Sequence, residues 1–480
     1  MSRRIGSCLC GAAALMGGWL AVALWLGPAA PPRRWPLPID AVLAFAAVAA
    51  FLGAAGVALR KGPLALVVLL AGAGAPLANT RLIGSQDTEP AALLPFSIVR
   101  EGTLTLPGPA TYVVPLRSGK FASKYPIATA LLALPIALPA AAGHGALTLK
   151  LRNVVEKLSA SVLTGLMLAL LFVAQRRVAG TRPALIASAL TLFGTSTLPI
   201  LGQALWQHSG AALALSAGLA ALGLPQGSRR SALVGLCAGV AIACRPPDIL
   251  PALGLLRLAL HPHTVPKFGD TIETILNSNS KFVLCPRIFS ARVAALGAAV
   301  PVLLTLLYQA AMFGGALRTG YGAEATTGWR PPWPDGALGF LGLWFSPARG
   351  LLACYPVLLF ALFALWKSRS FRPLAIAIAA EAALIGCWWA WEGGWCQGPR
   401  MLADAIPFLG LGLALALADF PGWARPARAS LFAAAALSCA TAMALTYVYP
   451  SRASFALFGQ LREGRWTPRG WPLYAYLFAR

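Results

Sequence analysis

Charge is what this sequence has least of. Only 11% of its 480 residues are Asp, Glu, Lys or Arg, where a soluble domain carries about 25%. Acids are scarcer still, at 15. So few charges cannot clothe a water-facing surface over this length, which excludes a soluble globular protein. No C-x-x-C pair occurs among the nine cysteines, so neither a cysteine metal site nor a disulfide framework is indicated. Most cysteines lie in apolar runs (Cys237, Cys244, Cys387, Cys439), where a thiol behaves as a small hydrophobe. The short segments of alternating polarity that mark a membrane barrel are missing. The cytoplasmic side lacks G-x-G-x-x-G and G-x-x-x-x-G-K, so nothing indicates nucleotide use.

What is present is apolar: 58% of the chain, in blocks of the length that about 30 Å of hydrocarbon requires of a helix. The expected fold class is all-α, a polytopic transmembrane helical bundle of about thirteen spans. The spans fall near 8–28, 38–59, 62–78, 155–174, 184–200, 205–224, 231–245, 248–260, 291–313, 350–366, 374–391, 402–418 and 429–447. Arg3-Arg4 before the first block reads as an uncleaved first helix with its N-terminus in the cytoplasm. Alternation then makes cytoplasmic loops of Arg60-Lys61, Arg176-Arg177-Arg182, Arg229-Arg230, 261–290, Lys367-Arg369-Arg372 and Arg425-Arg428, all of them basic, and puts the C-terminus outside. The domain plan is one transmembrane unit, 1–447, with outer loops 79–156 and 314–349, and an outer tail, 448–480. Tyr125–Ala142 is apolar enough to tempt a further crossing, but Pro126, Pro135 and Pro139 break helices. It is therefore expected to be a membrane-surface or partly inserted segment.

The map assigns only Asp270, Glu273 and Asp419 of the acids to cytoplasmic loops. Outer arginines gathered near acids and aromatics suggest an anionic ligand such as a lipid phosphate, and contact with anionic headgroups is the plainer reading of any one of them. Ser85-Gln86-Asp87-Thr88-Glu89-Pro90 sets two carboxylates on a loop at the membrane surface, where they could hold a divalent cation or act as a general base. Around it stand Gly119-Lys120-Phe121-Ala122-Ser123-Lys124-Tyr125-Pro126, Trp206-Gln207-His208, Ala243-Cys244-Arg245-Pro246, Ser346-Pro347-Ala348-Arg349-Gly350 and Trp395-Cys396-Gln397-Gly398-Pro399-Arg400. Tryptophans 388, 389, 391 and 395 suit an interfacial belt, with Trp395 kept as a sugar-stacking candidate. Glu392 lies at the same edge, able to pair with Arg400 or join the site. Glu381 lies near mid-membrane, where an ionisable group is costly and usually functional.

Residues 75–420 resemble the C-type superfamily of membrane glycosyltransferases, the group that contains protein O-mannosyltransferases and the lipid A aminoarabinose transferase, and more closely their bacterial relatives. The resemblance rests on an acid early in a long outer loop, a Tyr125-Pro126 surface helix, a following span that ends in Arg176-Arg177, and the span count. It implies an enzyme of the bacterial cytoplasmic (inner) membrane that moves a sugar from a polyprenyl-phosphate carrier to a glycan, lipid or protein acceptor on the outer face. Its partners would be that donor, the acceptor and membrane lipids, without nucleic acid. Asp87 matches the base, with Glu89 second. Arg400, Arg349 and Arg245 would hold the departing phosphate, helped by Lys120 and Lys124, and His208, Trp395 and Glu392 are substrate-site candidates. No cofactor is certain; a metal, if used, would be Mg²⁺ or Mn²⁺ on Asp87 and Glu89. Two departures stand out. Where the family often has a second outer acid this chain reads Trp206-Gln207-His208, and its first two spans form an extra pair. A transporter or flippase of a lipid-linked or anionic substrate is the main alternative, although the internal repeats of that class are not found; a non-catalytic scaffold is the other.

Overall fold

The computed structural model describes residues 64–448 apart from 261–283 and single positions at 80, 109, 144, 395 and 397, with residues 466, 471 and 472 besides. The expected spans 8–28 and 38–59, Arg60-Lys61, most of the cytoplasmic loop 261–290, most of the tail 448–480 and Trp395 lie outside the described residues.

The described chain is helical, with one two-stranded hairpin. In order run α1 (Leu64–Ala78), α2 (Glu89–Glu101), β1 (Val113–Pro115), β2 (Phe121–Ser123), α3 (Ala128–Ala142), α4 (Leu149–Ala179), α5 (Thr181–Phe193), α6 (Gln207–Ala221), α7 (Ser228–Cys244) and α8 (Ile249–Leu260). After the undescribed stretch come α9 (Leu284–Phe313), α10 (Ala337–Phe345), α11 (Leu358–Lys367), α12 (Arg372–Gly386), α13 (Ile406–Asp419) and α14 (Arg425–Val448). Four stretches are long and apolar enough to cross a membrane: Leu149–Ala179, Phe289–Phe313, Ala403–Gly422 and Arg425–Tyr447. The protein is thus a multi-pass helical membrane protein. The other expected spans within the described residues coincide with helices too short to meet that length by themselves. Boundaries differ at several places: α4 begins at Leu149 within the expected outer loop, α9 at Leu284 within the expected cytoplasmic loop, α5 ends at Phe193 within the expected span 184–200, and α11 begins at Leu358 within the expected span 350–366.

Helix α4 is the axis of the bundle. It packs against α1, α5, α6 and α13, and between hydrophobic neighbours it buries polar groups that tie helices together. Gln175 donates to the Gly410 carbonyl at 2.9 Å and accepts from Ser188 Oγ at 2.7 Å. Lipid gives helices no hydrophobic reason to associate, so small residues and such hydrogen bonds hold them. Close backbone contact supplies the rest. A Cβ on Gly165 of α4 would lie 2.6 Å from the Leu69 carbonyl of α1. On α7, Gly235 and Gly239 leave room only for the Ala294 and Ala298 carbonyls of α9, which would meet an added Cβ at 2.0 and 2.3 Å. The opposite face of α9 shows Leu296, Leu303, Leu304 and Leu307 outward, a lipid-facing stripe.

Helix α3 corrects the expectation that prolines break the segment after Tyr125. It runs unbroken through Pro135 and Pro139. Both sit on its exposed face, while Thr129, Ala130, Ala133, Ala137 and Ala141 form a buried stripe against the bundle. A proline costs a helix its i→i−4 bond and crowds that carbonyl. Here the affected backbone faces away from the bundle, and the small-residue stripe holds the helix from the other side.

Candidate functional site

Asp87 stands in a single 3₁₀ turn, Gln86–Thr88, directly before α2. The Thr88 amide and hydroxyl both donate to the Ser85 carbonyl, at 3.2 and 3.0 Å, and Pro90 suits the start of α2, where an amide hydrogen has no helical partner. Gly84 adopts a left-handed φ of 55° and presses on Asn153 of α4, where a Cβ would lie 2.6 Å from the side-chain nitrogen. The turn is thereby seated on the first turns of α4.

Its two carboxylates diverge. Asp87 accepts from Arg400 Nη1 at 2.6 Å and from the Tyr125 hydroxyl at 3.2 Å. Glu89 pairs with Arg152 of α4 and accepts from the Thr111 amide at 3.3 Å. Each acid faces its own arginine rather than the other acid.

Arg400 is the centre of this arrangement. Its guanidinium carbon lies 4.3 Å from the centroid of the Trp206 ring, and Nη2 donates to the Gly393 carbonyl at 2.8 Å. Its Nε is buried and meets no acceptor among the described residues. Burial works against its charge, but Cys396 and the Asp87 carboxylate outweigh this, so the proton is held more firmly than usual. Burial first, and the Asp87 charge second, raise the Tyr125 hydroxyl well above its ordinary range. It remains protonated and meets Asp87 only as a donor.

Aromatic rings extend outward from Tyr125. Tyr112 and Tyr321 flank it at 5.6 and 5.7 Å between centroids; Trp388 follows Tyr321 at 6.1 Å and Trp329 follows Trp388 at 5.1 Å. Lys124 lies 5.2 and 5.3 Å from the Tyr112 and Tyr321 rings and pairs with Glu324 at 2.6 Å. The second Glu324 oxygen accepts from Trp389 Nε1 at 3.0 Å. The first outer loop, the 314–349 loop and the end of α12 are thus pinned together. Trp388 and Trp389 join this wall through specific partners, which an interfacial belt alone does not explain.

The remaining sequence candidates fall elsewhere. Lys120 is exposed at the hairpin tip. Arg349 is buried and donates to the Cys396 and Gly394 carbonyls, bracing the 394–396 loop. Glu392 is half-buried in the same loop, but Arg400 pairs with Asp87 rather than with it. Arg245 is engaged by buried carboxylates: Nη1 donates to Asp404 at 2.5 Å, Glu381 at 2.7 Å and Asp248 at 3.2 Å, and Nη2 to the Met401 carbonyl at 3.0 Å. His208 is buried beside it, with Nδ1 3.0 Å from Asp404 Oδ2. Sequence reasoning missed Tyr321, Glu324, Asp248 and Asp404 because none carries a local motif. Arg152, four residues before Glu156 on α4, was legible only as one more basic residue.

No protein-family model matches the chain, and no curated protein matches it at a significant level. Among solved structures it is similar to an oligosaccharyltransferase from Archaeoglobus fulgidus. The apo form gives 15% identity and a TM-score of 0.43 over 88% of this chain and 60% of that one. The form tethered to an acceptor peptide with an NVT sequon gives 14% and 0.43 over 87% and 59%. The form with an inhibitory peptide and a dolichol-phosphate gives 15% and 0.41 over 85% and 58%. The chain therefore spans under two thirds of that protein's length, and TM-scores below 0.5 are too low to carry an argument about activity.

Proposed function

We propose that this protein is an integral membrane glycosyltransferase that moves a sugar from a polyprenyl-phosphate carrier to an acceptor hydroxyl at the outer face, with Asp87 as general base. One observation carries this reading: a partly exposed loop carboxylate held between the Tyr125 hydroxyl and the Arg400 guanidinium, at the foot of an aromatic wall. The acceptor oxygen attacks the anomeric carbon while Asp87 takes its proton. The bond from that carbon to the phosphate oxygen breaks, and the phosphate leaves with the electron pair. Arg400, in direct contact with the base, faces the charge that grows on the leaving oxygen; such preorganised stabilisation is commonly the largest catalytic effect. Its buried Nε is a donor still to be matched. An incoming phosphate competes with Asp87 for Arg400, so donor binding frees the base it needs. Sugar rings present apolar C–H faces that pack on Tyr112, Tyr321 and Trp388.

The test offers purified wild type and Asp87→Asn, in nanodiscs, a panel of radiolabelled polyprenyl-phosphate sugars with membrane extract as acceptor. Transfer by wild type that falls by about 10²-fold or more in a folded Asp87→Asn is the expected result. Equal transfer by both proteins overturns the assignment of the base.

A further inference from the structure

Arg245, Asp248, Glu381, Asp404 and His208 take no part in that reaction, yet they form the most heavily charged interior cluster among the described residues. Asp248, Glu381 and Asp404 are fully buried, and Arg245 and His208 nearly so. They come from four places in the chain. Arg245 and Asp248 flank the turn between α7 and α8, His208 is in the first turn of α6, Glu381 is within α12, and Asp404 lies just before α13.

Three carboxylates face one guanidinium, so with all three ionised and His208 neutral the cluster would carry two more negative charges than Arg245 offsets. An excess of that size is very costly away from water unless something balances it. Asp248 directly precedes α8 and Asp404 lies two residues before α13, and each helix's N-terminal dipole favours the charged carboxylate. Arg245 Nη1 satisfies one side of the cluster. On the other, Asp248 Oδ2, Glu381 Oε2 and Asp404 Oδ1 are buried with no hydrogen-bond partner, one from each carboxylate. The three residues can offer one oxygen each, with all three atoms within 4.8 Å of one another. Two oxygens bound on opposite sides of a Ca²⁺-sized ion, at about 2.3–2.6 Å each, are separated by about 4.6–5.2 Å, so the three could share one ion.

We propose that Asp248, Glu381 and Asp404 bind a hard divalent cation of the Ca²⁺ or Mn²⁺ class. Two positive charges would offset the two that the ionised carboxylates leave over beyond Arg245, and an all-oxygen carboxylate set selects such ions over softer metals. The cation and Arg245 together would then neutralise the cluster from opposite sides. Its place in the molecule gives it a positioning role. Segment 400–404 carries Arg400 at one end, on Asp87, and Asp404 at the other, with the Met401 carbonyl held by Arg245 between them. An ion on Asp404 would fix the base of the segment that presents Arg400.

The test is Mn²⁺ titration of EDTA-stripped protein in nanodiscs, with free Mn²⁺ read by electron paramagnetic resonance and Ca²⁺ as competitor. The expected result is one saturable site per chain in wild type and in the double variant Asp87→Asn/Glu89→Gln. Binding should weaken by about 10-fold or more in Glu381→Gln and in Asp248→Asn. Because these buried variants could fail to fold, wild type has its own readout, a thermal midpoint that rises with Mn²⁺ concentration. Folded wild type with no saturable Mn²⁺ binding overturns the proposal and leaves protons to balance the charge. Binding that survives Glu381→Gln but is lost in Asp87→Asn/Glu89→Gln also overturns it, by moving the ion to the outer loop. Neither outcome depends on the transfer reaction.

Discussion

At the scale of single residues, the chemistry turns on which acid each arginine meets. Asp87 and Glu89 are two positions apart, yet the 3₁₀ turn sends one to Arg400 and the other to Arg152. Arg400 serves three partners together: the Asp87 carboxylate, the Gly393 carbonyl and the Trp206 ring. A lysine carries the charge but not the planar fork or the stacking surface. Arg400→Lys should therefore lower transfer about 10–100-fold, from the loss of a hydrogen bond to a charged group worth about 1.5–3 kcal/mol. The loss should fall on kcat as well as on KM for the lipid donor, read in steady-state kinetics across donor concentration. Unchanged kcat would remove Arg400 from stabilisation of the leaving phosphate. That a loop acid lies at Asp87 was legible in the sequence. Its partner was not, because Arg400 lies 313 positions away and only packing of the helices brings the two together. The same holds for Arg245, whose place at a span end suggested an outer ligand until Glu381 and Asp404 closed around it.

At the scale of elements, glycine decides how closely helices approach. Gly235 and Gly239 are four apart, on one face of α7, and their missing side chains let the α9 backbone touch. Gly239→Leu should wedge the pair apart at a cost of about 1–3 kcal/mol, seen as a lower thermal midpoint in detergent. Gly74→Ala, in α1, meets nothing within 4 Å and should leave the midpoint unchanged. If both variants behave alike, close packing at α7 and α9 is not what the glycines provide. A second pin joins loops rather than helices. Lys124 and Glu324 are each partly exposed, so their pair adds little to global stability, about 0.2–1 kcal/mol. Lys124→Met should hardly move the midpoint but should speed proteolysis of the 314–349 loop, since the two outer loops then lose their charged link. Equal proteolysis rates would show that Trp389 and the rings hold the loops without it.

At the scale of the whole molecule, the basic loops predict an orientation. The first outer loop and the link between α6 and α7 should lie on opposite sides of the membrane. Cysteine at Ser118 should react with a membrane-impermeant maleimide added outside intact cells, and cysteine at Gln226 only after the membrane is opened. Labelling of both from outside would invert the map.

Composition and the length of its apolar blocks were enough to determine a helical membrane protein, because lipid solvates no unpaired backbone and leaves helices or closed barrels as the only spanning forms. The position of an acidic turn before α2 was local as well, written in Gly84 and Pro90. Only the tertiary structure decided that Asp87 faces Arg400 and Tyr125, that prolines run inside α3 instead of ending it, and that Glu381 meets Arg245, Asp248 and Asp404. Each of these depends on contacts between residues far apart in sequence. In a chain this poor in charge, burial favours the pairing of ionised groups, and which partner Asp87 or Arg245 finds is settled by how the helices pack.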